Sequence, residues 1–115
     1  MELDYLIFDF SDEETGCGSF DAMACVLAQR VPALLREVQL VLRWAHREFG
    51  APSADGDWDV ELHGTTQAQL PWRLAYDPGS GEISFAEAGD HPVTLTLTIS
   101  GSRGFCEAFR AAFSI

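Results

Sequence analysis

The side chains of this sequence that could do chemistry fall in a few short stretches. Gly16-Cys17-Gly18-Ser19 offers a thiol between two glycines, just ahead of an expected helix. At a helix N-terminus the dipole and the free N–H groups favour a thiolate, the form that attacks electrophiles. Flanking glycines would let a substrate approach the backbone. Against this, Asp12, Glu13 and Glu14 stand close by and oppose an anion, and no base is adjacent in sequence. Cys17 is therefore the candidate nucleophile of a thiol enzyme, and small residues leading into a cap are the simpler reading. Cys25 and Cys106 read as small packing residues on helices.

A second grouping follows from topology. If the first strand points up and the following elements alternate, three connections share the top of the sheet. They are the 11–18 loop, the turn after His63 and the turn holding Asp90 and His91. Asp12, Glu14, Asp90 and His91 would then offer ligands to a divalent metal, with Glu13, Glu87 and His63 close by. Spacing speaks against a dedicated site, since no two ligands stand at i, i+4 on a helix and no HxH or CxxC pair exists. A solvated acidic rim is the default and no cofactor is expected; a small-molecule or metal-binding domain is the alternative function.

A third surface is the open face of the sheet. Asp59, Glu61 and Glu82, with Arg73, Ser84 and the threonines 94, 96 and 98, are out of phase with the apolar residues of their strands. Thr ladders are good plain strand surface. A flat polar face bearing acids on two strands also suits a basic protein partner.

The elements that position these groups are a helix and a run of strands. Ser19 to Gly50 reads as one long amphipathic helix, N-capped by Ser19 with Asp21 in the first turn and stopped by Gly50-Ala51-Pro52. Phe20, Met23, Ala24, Leu27, Val31, Leu34, Leu35, Val38 and Leu42 recur at helical spacing. Pro32 costs roughly 3 kcal/mol in a helix interior. The apolar stripe keeps its phase across Pro32, so the expectation is a kink opening toward solvent. A weaker stripe through Leu40 and Trp44 faces either the C-terminal helix or a second subunit. Such a helix would span roughly 44 Å, against about 23 Å for strands of seven or so residues. The overhang argues for a homodimer with Trp44 at or near its interface.

Residues 3–10 form the first strand, apolar on both faces and so expected inside the sheet. Trp58-Val60-Leu62, Leu70-Trp72-Leu74-Tyr76, Ile83-Phe85 and Val93-Leu95-Leu97-Ile99 alternate with polar residues and are separated by short turns. Pro71 places its strand near an edge or at a bulge. A short helix, Gly104 to Phe113, ends the chain. The predicted fold is α+β: a single domain, 1–115, built as a two-layer sandwich in the order β-α-β-β-β-β-α. Its sheet is mostly antiparallel, and both helices lie on one face.

Composition sets the outer bounds. The 115 residues carry a formal charge of −11, which opposes nucleic acid and anionic membranes alike. No apolar run is long enough to span a bilayer, and the start, MELDYLIFDF, lacks a basic region before its apolar residues. Three cysteines without a CxxC pair fit a reducing compartment, so a cytoplasmic location is expected. Arg is the basic residue throughout, and the chain has neither Lys nor Asn, which reads as bacterial coding bias. The function these features favour is a small acidic interaction protein, an adaptor or an immunity-type inhibitor, docking a basic partner.

Overall fold

The computed structural model describes residues 3–87 and 90–115; Met1 and Glu2, and Ala88 and Gly89 in the turn expected before His91, lie outside the described residues. The elements run β1 (Phe8–Asp12), β2 (Gly18–Val26), a 3-10 turn (Ala28–Arg30), α1 (Val31–Phe49), β3 (Trp58–Thr66), β4 (Leu74–Asp77), β5 (Glu82–Phe85), β6 (Val93–Gly101) and α2 (Arg103–Phe113). Strands β1, β2, β6 and β3 form one antiparallel sheet in that order, and β4 pairs with β5 as a separate hairpin. The fold is α+β, with the 3-10 turn and α1 joined into a long helix and the short α2 beside it on the same sheet face.

The expected helix from Ser19 is corrected over its first third, which is the strand β2. Phe20, Ala22, Ala24 and Val26 are buried while Asp21, Met23 and Cys25 are exposed. Locally both periods fit, because Ala22 to Val26 is apolar throughout. Pairing decides: nine residues lie in register against β6, from Gly18↔Gly101 to Val26↔Val93, and β1 flanks the other side. With the α-helix starting at Val31, Pro32 sits in its first turn, where the missing N–H would have had no partner in any case. Pro32 therefore marks a helix start rather than a kink.

This correction removes the length mismatch. The 19 residues of α1 span about 28 Å, close to the roughly 30 Å of a nine-residue strand. Trp44 is only 7% exposed. Its ring lies between 5.6 and 6.0 Å from those of Phe49, Phe105, Phe109 and Phe113. Trp44 is thus covered within its own chain, which removes it as an exposed patch, whereas Leu40 remains 39% exposed.

Two further expectations change. β1 is an edge strand rather than an interior one. It begins only at Phe8, because the backbone N–H groups of Asp4, Tyr5 and Leu6 all donate to the Glu37 carboxylate of α1, at 2.7 to 3.1 Å. The strands from Trp58 to Ser100 do not form a simple meander, since β3 pairs directly with β6. After β3 the chain turns back at Thr66–Leu70 and makes one bridge, Thr65↔Pro71, before leaving the sheet. Pro71 has no N–H with which to extend that ladder. Gly64 permits the return, because a Cβ there would come within 2.7 Å of the Trp72 ring. The β4–β5 hairpin docks on α1 instead: Gln39 Oε1 accepts from the Ile83 N–H at 2.8 Å, and Arg43 Nε donates to the Gly81 carbonyl at 2.7 Å.

The core is aromatic where α2 closes it. Phe109 is completely buried, with the rings of Phe20 at 4.5 Å, Phe113 at 5.0 Å, Phe8 at 5.3 Å and Trp44 at 5.7 Å. One side chain thus joins both helices to two strands. Truncating Phe109 to Ala removes these ring contacts and the one with Phe105 at once, and chemical denaturation will show a loss of about 3–5 kcal/mol. A loss below about 1 kcal/mol would mean that α2 is not what closes the core.

Candidate functional site

With one face of the four-stranded sheet filled by the helices, the opposite face stays open. The register sets its side chains in rows across β1, β2, β6 and β3. At the end holding the β1–β2 turn the row is Ser11, Ser19, Ser100 and Asp59; the next is Asp9, Asp21, Thr98 and Glu61. Below these come Met23, Thr96 and His63, then Cys25, Thr94 and Thr65. Each row lies about 7 Å from the next, two residues along a strand.

The electrostatics of this face are one-sided. Asp9, Asp21, Asp59 and Glu61 lie on it, while every Arg of the chain stands outside these four strands, at positions 30, 36, 43, 47, 73, 103 and 110. Glu61 lies 3.8 Å from His63, and Asp21 accepts from the Thr98 hydroxyl at 2.8 Å. Asp9 stands directly opposite Asp21 in the register. Like charges so placed across a strand pair are destabilising. At the turn end the face deepens into an open cleft of about 310 Å³, lined by Ser11, Asp12, Cys17, Ser19, Asp59 and Ser100 among others.

The residues singled out from sequence are distributed unevenly over this surface. Asp59 and Glu61 are on it. Glu82, with Arg73 and Ser84, belongs to the separate hairpin and is not part of the face. Leu40 and Trp44 are on α1, under the other face. Asp9 was missed because its strand was expected inside the sheet, and Asp21, Met23 and Cys25 because their segment reads as helix when the period of 3.6 is followed. Two signals mark them: the alternation Phe20-Ala22-Ala24-Val26, and Pro32 read as a first-turn residue.

Cys17 is corrected in its surroundings. It follows a tight turn in which the Glu13 N–H donates to the Cys17 carbonyl at 2.8 Å and the Gly16 N–H to the Glu13 carbonyl at 2.9 Å. Gly16 has φ +90°, the left-handed conformation such a turn requires. What comes next is β2, so no helix N-terminus lies ahead of the thiol to favour its anion. Cys25 is exposed on the open face rather than packed in a helix, whereas Cys106 is buried in α2.

The expected metal cluster is also dispersed. An extra strand before α1 reverses the direction of everything that follows. Asp12 and Glu14 therefore lie at the Gly18/Gly101 end of the sheet, and Asp90 and His91 at the Val26/Val93 end. These ends are separated by the nine residues of β6, roughly 30 Å. Among the described residues no three His, Cys, Asp or Glu side chains come together as a metal site. His46 lies among aromatic rings, 5.2 Å from Trp58 and 5.1 Å from Tyr76. Burial lowers its pKa below the usual 6.5, which keeps it neutral and makes it a packing group.

Among the described residues no helix is long and apolar enough to cross a membrane. Compared with known proteins, the chain matches no family model, and no curated protein or solved structure is significantly similar to it.

The thiols supply a direct check on these placements. Burial pushes the Cys106 thiol above its usual range, and its Sγ lies 3.5 Å from the Gly101 carbonyl, so little thiolate is present near neutrality. Alkylation of the native protein at about pH 8 will label Cys17 and Cys25 and leave Cys106 intact until denaturant is added. Labelling of Cys106 as fast as the other two would place α2 differently.

Proposed function

We propose that this protein is an interaction module whose open sheet face receives a basic segment of a protein partner. The observation that carries the reading is the charge layout of the face. Four carboxylates lie there with no Arg on the same strands, and two of them, Asp9 and Asp21, oppose each other directly. An arrangement that costs stability in the free protein becomes favourable when a guanidinium or ammonium lies between the carboxylates. The Ser and Thr hydroxyls of the same rows can accept or donate around it. Opposition to nucleic acid follows from the same charges. An adaptor and an immunity-type inhibitor both use such a surface.

The test must separate this face from bulk charge. Binding of a fluorescent Arg-rich peptide is compared for wild type, for Asp9→Asn/Asp21→Asn/Glu61→Gln, and for Glu48→Gln/Glu82→Gln/Glu107→Gln. Both variants lose three formal charges, but only the first loses them from the open face. The first will weaken binding by about tenfold or more, equivalent to 1.4 kcal/mol, and will melt no lower than wild type because the Asp9–Asp21 repulsion is gone. The second will bind within about twofold of wild type. Equal losses in both variants would reduce the interaction to net charge and defeat the reading.

A further inference from the structure

The open face is not uniformly acidic. The row next to Asp9 and Asp21 carries Met23, which is 69% exposed. Ile7, 77% exposed, directly precedes Phe8, whose partner Ala22 is the neighbour of Met23 on β2. Cys25, also exposed, follows one row on. Large apolar side chains on a sheet face are ordinarily covered, and Phe8, Phe20 and Ala22, on the other side of the same strands, are buried. Ile7 and Met23 are exposed although their neighbours on the strand are not.

We infer that the partner segment is amphipathic and enters in one orientation: its Arg or Lys residues lie over Asp9, Asp21 and Glu61, and an apolar residue lies over Ile7 and Met23. The assignment rests on the reading of the face as a docking surface for a basic protein, and it adds the partner's second chemical feature and its direction. Charge complementarity selects the occupant. A second copy of this chain would bring the same net charge of −11 and an anionic lipid surface its own negative charge, and both would be repelled. The two zones lie about 7 Å apart along β1 and β2, so a basic residue and an apolar residue two positions apart in an extended segment reach both. The apolar contact excludes water from the neighbouring ion pairs, which strengthens them.

Two peptide probes test this: one of Arg and Gly ending in Leu-Ile, and the same peptide ending in Ser-Ser. Affinity is measured by fluorescence anisotropy for wild type, for Ile7→Thr/Met23→Thr, and for the triple carboxylate variant. Both apolar residues are exposed, so their replacement leaves the core intact, and melting curves confirm this. Wild type will prefer the Leu-Ile probe by about tenfold, Ile7→Thr/Met23→Thr will lose that preference while still binding the Ser-Ser probe, and the carboxylate variant will weaken on both probes. Equal wild-type affinity for the two probes, or a preference that survives Ile7→Thr/Met23→Thr, overturns the inference and leaves the acidic docking face standing. A carboxylate variant that binds both probes as wild type does, or no binding of either probe by wild type, overturns both.

Discussion

The burial of Phe109 is the contact on which the rest of the structure depends. Its ring has to meet Phe8 and Phe20 from the sheet and Trp44 from α1 at the same time. That is possible only if residues 18–26 are extended, so that Phe20 shares a face with Ala22, Ala24 and Val26. It also requires both helices to lie on this one face. Once they do, Phe20, Ala22, Ala24 and Val26 of β2 and the alternate apolar residues of β3 and β6 are consumed there, and the alternation of each strand sends the residues between them to the other side. The open acidic face is thus a consequence of how the core closes.

Charge follows the same division. The helices and the hairpin hold the arginines, some in structural use, as where Arg43 holds the Gly81 carbonyl and the Arg110 guanidinium lies 4.7 Å from the centre of the Phe10 ring. Among the described residues the acids of the open face bond only the Thr98 hydroxyl, the Val60 N–H and the His63 ring. Direct opposition of Asp9 and Asp21 lowers the stability of an edge pair that contains only five residues of β1. Charged edges do protect a sheet from aggregation, which accounts for Asp9 on β1 and for Asp59 and Glu61 on β3, the two edge strands. It does not account for Asp21, which lies on the interior strand β2 opposite Asp9.

Much of this fold was legible in the residues themselves. Val93 to Ile99 alternates so strictly with Thr that β6 has one reading, and α2 is announced by Phe105, Phe109 and Phe113 on one side. The segment Phe20 to Val26 was not legible in the same way. Alanines, Met23 and Cys25 satisfy a helical stripe and a strand alternation alike, and only the partners on either side, β1 and β6, select the strand. That single ambiguity carried the others with it. It created a helix too long for its sheet, an apolar Trp44 without cover, a helix end beside Cys17 and a false meeting of Asp12 with His91. Pro32 was the physical clue, because a first-turn proline costs nothing and an interior one costs roughly 3 kcal/mol. The open face itself was partly legible: Asp59 and Glu61 follow from β3 and Asp9 from the first strand, whereas Asp21 and Met23 join them only when β2 is a strand.

The central claim is that the open face of the sheet, and not the helical side, meets the partner. Amide chemical-shift mapping tests it most directly, with the isotope-labelled protein titrated with an Arg-rich peptide. The account predicts saturable shifts concentrated at Asp9, Asp21, Met23, Glu61, Thr96 and Thr98, diminishing as salt is raised. Shifts concentrated along α1, α2 or the β4–β5 hairpin, with those strand amides unmoved, would contradict it.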